Sequence, residues 1–145
     1  MAEMDPYREV VLNVQKSLAA DRCTLYLVDQ ERQEVSSKVA IGLEIPEIRL
    51  PLNRGLVGYV GRTGRTLNLR DAYNDPRFDR TVDQRTGYRT KTILTMAVHD
   101  AARRVVGVLQ VLNKSVGLFT EADEQAMQLA CEEVARLLAD DAARE

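Results

Sequence analysis

The sequence predicts an α+β domain, and three features carry that prediction. Apolar residues recur at helical spacing near both ends: Val10, Val11, Val14 and Leu18 in one stretch, Ala126, Met127, Ala130, Val134, Leu137 and Leu138 in the other. Between them, residues 23–28 (CTLYLV) and 34–41 read as two strands of a hairpin turning at Asp29-Gln30-Glu31-Arg32. Residues 105–112 (VVGVLQVL) are almost continuously apolar, so this strand is buried on both sides and helices are expected over both faces of the sheet.

The 145 residues suit a single domain, 1–145. Its expected parts are a first helix over about 6–20, a sheet with its pocket over about 22–114 and a last helix over about 120–142. A composition of 45% hydrophobic and 29% charged residues is that of a soluble globular chain, which suggests a cytoplasmic protein. A net charge of -2 argues against a general nucleic-acid binder. No apolar run reaches the roughly 20 residues a membrane helix needs, and the acidic start MAEMDPYREV is unlike a secretory leader. Cys23 and Cys131, with no CxxC and no Cys/His cluster, exclude a disulfide scaffold and a standard zinc site.

In order, Asp5 and Pro6 supply an N-cap and a helix start. After the hairpin, Gly42 and Pro46 break the chain, and residues 48–52 (IRLPL) form a short edge strand. In GLVGYVGRTG, Gly55, Gly58, Gly61 and Gly64 recur every third residue through a short helix. Interior glycines cost about 1 kcal/mol each relative to alanine. They fit either close packing on a sheet or an approach of bare backbone N–H groups to an anion. Residues 66–69 form a short strand, 92–99 a longer one. Gln110 is the strongly polar side chain inside the apolar run and needs a partner, either a neighbour or a ligand. Thr120 caps the last helix with Asp123 three residues on. The terminal stripes serve either a bundle on one sheet face or a dimer seam.

The most suggestive stretch is residues 71–94, DAYNDPRFDRTVDQRTGYRTKTIL. A helical turn over 79–86, stopped by Gly87, would put Asp83 and Thr86 on one face, with Thr90 at the mouth of the next strand. A carboxylate and two hydroxyls there fit a small polar ligand; a plain solvated segment held by caps and turns fits as well.

Asn113-Lys114, Phe119 and Asp123-Glu124, with GLVGYVGRTG and LNLRDAYNDPRF…VDQRTGYRTKTIL, resemble the GAF domains of cyclic-nucleotide phosphodiesterases and cyanobacterial-type adenylyl cyclases. The resemblance implies a six-stranded antiparallel sheet of order 3-2-1-6-5-4. Terminal helices would lie on one face, a closed pocket and short helices on the other. It implies ligand contacts at Thr24, at the amides of Leu56, Val57 and Gly58, at Asp83, Thr86 and Thr90, and at Gln110. Ala40 and Ile41 stand where relatives place an aromatic and an acidic residue against the purine. Ile41 would thereby remove an acceptor for guanine and favour cyclic AMP over cyclic GMP.

The implied function is a non-catalytic sensor. It needs no cofactor, binds a cyclic nucleotide as regulatory ligand, forms a homodimer and serves an output domain. The alternative is a dimerising scaffold with a vestigial pocket or a different small ligand. Methionine sulfoxide reductases and bilin-binding proteins of similar fold need pocket cysteines. Strand alternation puts Thr24, Tyr26 and Val28 on the pocket side and Cys23, Leu25 and Leu27 on the other. His99, the single histidine, has no triad or metal context.

Overall fold

Asp5 opens the chain's first helix by accepting the Tyr7 N–H, and Pro6 occupies the first helical position. In this computed structural model, which describes residues 5–42 and 47–144, that helix is α1 (Pro6–Ser17). Then come β1 (Ala20–Asp29), β2 (Glu34–Ile41), β3 (Arg49–Pro51), α2 (Gly55–Thr63) and β4 (Leu67–Leu69). A single 3-10 turn (Ala72–Asn74) leads to α3 (Thr81–Thr86), β5 (Ile93–His99), β6 (Val105–Lys114) and α4 (Glu121–Ala143). The break expected at Pro46 lies outside the described residues.

Several boundaries differ from expectation by a few residues; β1, for one, starts at Ala20 rather than Cys23, and α3 at Thr81 rather than Asp79. Helix α1 stops at Ser17 rather than Ala20, because Ala19 turns left-handed (φ 51°) and β1 starts directly after it. Strand β6 extends past the apolar run 105–112 and ends at Lys114, which pairs with Ala20.

The strands form one antiparallel sheet in the order β3-β2-β1-β6-β5-β4, as the resemblance implied. Both faces of β6 are covered. Leu109 and Val111 pack with Val11, Leu25, Met127 and Val134 under α1 and α4. Val108 packs with Tyr26, Val57 and Val60 under α2. Each fully buried aliphatic side chain contributes about 1.5–3 kcal/mol over an exposed one. The apolar stripe of α4 is thus largely used inside the domain, and Leu129 is its large apolar residue left exposed.

One irregularity has consequences for the site. Leu25 pairs with Val39 but Tyr26 pairs with Ser37, so exposed Lys38 is an extra residue on β2. An extra residue inverts the alternation beyond it. Val35 therefore faces α2, whereas Val39 and Ile41 turn toward α1 and α4.

Helix α4 starts with the anticipated reciprocal cap between Thr120 and Asp123. Asp123 also pairs with Lys114, and it is buried. Burial pushes its carboxyl up, but Lys114 and the Thr120 amide outweigh that and hold it below the ordinary carboxylate value. A carboxylate whose folded pKa lies below its unfolded one stabilises fully above the unfolded value, near 4, and loses that contribution as pH falls through the folded value. Asp123→Asn is therefore expected to lower the urea midpoint clearly at about pH 7, with a gap that shrinks toward about pH 3. A gap independent of pH would contradict the ion pair's role.

Candidate ligand-binding cleft

On the face away from α1 and α4, a cleft lies between β1, β3 and β6 as floor, the start of α2 at one end, and α3 with its following segment as lid. Thr24 and Tyr26 of β1, Gln110 and Leu112 of β6, Leu56, Val57 and Gly58 of α2, and Val82, Asp83 and Thr90 of the lid line it.

The α2 end has a defined chemistry. Arg54 stands at the N-cap position and no side chain caps the helix. The first amides of a helix have no intrahelical acceptor, and its dipole favours negative charge there. Arg54 and Arg22 line the cleft, and so do Asp79 and Asp83. Asp79 is held below the ordinary carboxylate value, chiefly by the Thr81 hydroxyl, and its Oδ1 also accepts the Thr81 N–H at 2.9 Å.

The interior glycines of α2 answer to packing. A Cβ on Gly58 would lie 2.7 Å from the Leu52 carbonyl oxygen, and one on Gly61 2.8 Å from Leu52 Cδ1. The helix sits directly on the turn that follows β3.

The lid is built around one buried carboxylate. Asp83 Oδ2 accepts the Thr90 N–H at 2.8 Å and the Tyr73 hydroxyl at 2.8 Å, while Oδ1 accepts the Thr90 hydroxyl at 2.8 Å. Gly87 ends α3 in the left-handed conformation (φ 76°), as its sequence position suggested. On the floor, Gln110 Nε2 donates to the Thr95 hydroxyl at 3.0 Å, so the buried amide has a neighbour as partner and a second polar end beside the cleft.

The structure thus brings together Thr24, Leu56, Val57, Gly58, Asp83, Thr90 and Gln110. Three expected residues fall elsewhere. Thr86 is exposed, and its hydroxyl donates back to the Val82 carbonyl at 2.8 Å within α3. Ile41 packs toward the helix side because of the Lys38 bulge, so it forms no wall for a base. Ala40 pairs with Thr24 on the cleft face but is not among the lining residues. Sequence reasoning missed Arg22. Its place two residues before Thr24 puts it on the same face of β1, and its Nε is buried without a hydrogen-bond partner.

The signature residues fasten the lid to the sheet. Asn113 Oδ1 accepts the amides of Lys91 at 2.6 Å and Thr92 at 3.2 Å. Its Nδ2 donates to the Tyr88 hydroxyl and the Arg89 carbonyl, both at 2.8 Å. Glu124 accepts from Asn68 at 3.1 Å, joining α4 to β4, and Phe119 is buried against α1 and α4. Cys23 and Cys131 are buried on the opposite face, and burial pushes both thiols up, that of Cys131 to about 12.

The model of the GAF domain family matches residues 5–138, and the chain belongs to that family. It is 39% identical, over 142 residues, to a probable 3',5'-cyclic phosphodiesterase pde-5 of Caenorhabditis elegans, covering 89% of this chain and 19% of that protein. It is 37% identical, over 123 residues, to a dual 3',5'-cyclic-AMP and -GMP phosphodiesterase 11A of Takifugu rubripes, covering 76% of this chain and 14% of that protein. The chain therefore spans less than a fifth of these relatives' length. Among solved structures, the GAF domain of an Acinetobacter phosphoenolpyruvate-protein phosphotransferase superposes with a TM-score of 0.81 at 28% identity, over 94% of this chain and 82% of that one. The free methionine-R-sulfoxide reductase of Neisseria meningitidis shares the fold with a TM-score of 0.75 at 17% identity, over 90% of this chain and 74% of that one. No helix among the described residues is long and apolar enough to cross a membrane.

Proposed function

We propose that this domain is a non-catalytic sensor that binds a cyclic purine nucleotide in the cleft, its phosphate on the amides of Leu56, Val57 and Gly58. The observation that carries this reading is the uncapped start of α2 opening on a cleft whose floor and lid supply Thr24, Gln110 and Thr90. Charge supports a cyclic rather than a terminal phosphate. Two arginines and two aspartates line the cleft. A singly charged diester suits that balance better than a terminal phosphate of charge about -1.5 to -2. Likeness to two cyclic phosphodiesterases points the same way.

The preference for cyclic AMP loses its Ile41 argument, since that side chain faces the helices. Base choice passes to Gln110, whose amide can present either end while Thr95 accepts or donates. A reductase reading has no support from the cysteines, because the chain's two thiols lie across the sheet from the cleft. The sensor would act as a homodimer serving an output domain, with exposed Leu129 on α4 as a seam residue.

Calorimetry with cyclic AMP, cyclic GMP and the linear 5'-monophosphates tests the reading. Binding of a cyclic nucleotide at least tenfold tighter than its linear form is expected, together with a dimer in light scattering. A Gln110→Leu variant is expected to weaken binding about tenfold, as one lost polar contact does. No binding of any of the four would favour the scaffold.

A further inference from the structure

Tyr88 joins parts of the molecule that are far apart in sequence. Its hydroxyl donates to Asp21 Oδ2 at 3.0 Å and accepts from Asn113 Nδ2 at 2.8 Å. The Arg22 guanidinium lies over its ring, 3.4 Å from the centroid. Arg22 lines the cleft from β1, whereas Tyr88 sits between the Gly87 cap of α3 and the Thr90–Asp83 bonds. The lid segment 87–92 thus has three main side-chain anchors, beside backbone bonds from the Ala72 N–H to the Lys91 carbonyl and from the Asn113 N–H to the Thr92 carbonyl, both at 2.8 Å. Asp83 holds it to α3, Asn113 holds it to β6, and Tyr88 holds it to the start of β1.

The first two anchors are backbone-directed and leave little freedom. Asp83 takes the Thr90 amide, and Asn113 takes those of Lys91 and Thr92. The third is a single aromatic side chain meeting an exposed carboxylate at the start of β1 and a stacked cation that lines the cleft. A hydrogen bond to an exposed carboxylate forms and breaks readily, because water competes for it. Of these anchors, Tyr88 is the one reaching an exposed partner, so it opens first, and the amide bonds to Asp83 and Asn113 open only after it.

We propose that Tyr88 is the clasp of the cleft: ligand exchange requires its hydroxyl to leave Asp21 and its ring to leave Arg22, and while closed it positions Arg22 toward the ligand. The ligand half of this proposal rests on the cyclic-nucleotide reading; the lid half does not. Burial, then the hydrogen bond to Asp21, push the phenol up to about 12, so it stays protonated and able to donate at neutral pH. Tyrosine supplies both functions from one residue, an apolar face for the guanidinium and a polar tip for the carboxylate.

Hydrogen exchange on the ligand-free protein tests the clasp without any assumption about the ligand. Tyr88→Phe keeps the ring and removes both hydrogen bonds. It is expected to speed exchange at the amides of residues 90–92 about tenfold, while α4 and the middle of β6 stay at wild-type rates. Asp21→Ala, which removes only the bond to Asp21, should speed the same amides, though no more than Tyr88→Phe does. Asp21→Asn, whose carbonyl still accepts from the phenol, should remain near wild type. The Tyr88→Phe/Asp21→Ala pair should be no faster than Tyr88→Phe alone, because Tyr88→Phe already removes the bond to Asp21. Tyr88→Leu, which also removes the stack on Arg22, should be fastest. Wild-type exchange in both Tyr88→Phe and Tyr88→Leu would overturn the clasp. A second arm follows dissociation of a fluorescent cyclic AMP, expected to be about tenfold faster from Tyr88→Phe. If lid exchange rises but the dissociation rate does not, the clasp as a gate is overturned. If wild type binds no cyclic nucleotide, the ligand reading falls and hydrogen exchange alone decides the clasp.

Discussion

Replacing Gly58 by alanine is expected to lower the melting temperature by roughly 4–8 °C, corresponding to about 2 kcal/mol for a chain of this size. Helix propensity argues the other way. Alanine in a helix interior is favoured over glycine by about 1 kcal/mol. Packing decides the sign. The added Cβ would lie 2.7 Å from the Leu52 carbonyl oxygen, 3.0 Å from that of Pro51 and 3.1 Å from the Leu52 carbonyl carbon. All three are backbone atoms and cannot rotate aside, so α2 must shift as a body, and overpacking of this kind costs about 1–3 kcal/mol or more. The shift would also displace the α2 amides from the cleft floor, weakening any ligand held between them. Gly61→Ala is the matched control. Its Cβ meets the movable tip of the Leu52 side chain, at 2.8 Å. A small loss or gain is expected there, since a rotamer change relieves the contact. Equal melting temperatures for the two variants would refute the packing account of Gly58.

The sequence signals that proved reliable were local ones. Thr120 with Asp123 three residues later, Asp5 before Pro6, and Gly87 after a short polar helix each specify a helix end by satisfying orphaned backbone groups, and each is present. Alternation along β1 placed Thr24 and Tyr26 on the cleft face and Cys23 and Leu25 on the helix face. The same rule does not carry along β2, because one extra residue at Lys38 inverts the faces and no glycine marks the bulge. The resemblance put Ile41 at a base; on the bulged strand its side chain is found against α1 and α4. Thr86 shows a second limit. A hydroxyl near a helix end has its own backbone as a competing partner, and the Val82 carbonyl takes it. The Arg22–Tyr88 stack joins residues far apart in sequence, and no short motif encodes such a contact.

Asp83→Ala is expected to be the most damaging single change in the lid, and Asp83→Asn nearly harmless. The carboxylate is buried and already accepts three hydrogen bonds, from the Thr90 amide, the Thr90 hydroxyl and the Tyr73 hydroxyl. An ionised carboxyl offers about four acceptor positions, so little capacity remains for a ligand. Its role on this geometry is to hold Thr90 in place. Alanine leaves three donors without their acceptor, two of them on Thr90, which is 1% exposed. Each buried donor left unpaired costs about 1–3 kcal/mol, so a loss of about 3 kcal/mol is expected where the lid stays shut. Where it opens instead, the cleft loses a wall and binding falls by about a hundredfold, which is the same energy expressed as affinity. Asparagine can repeat the pattern. Its oxygen can accept the Thr90 amide and the Tyr73 hydroxyl, and its NH2 can donate to a rotated Thr90 hydroxyl. Binding and melting temperature should then stay within about 1 kcal/mol of wild type. Thermal melts and calorimetry on the two variants separate this role from direct ligand contact. If the Asp83 charge itself bound the ligand, Asp83→Asn would lose as much affinity as Asp83→Ala while melting like wild type.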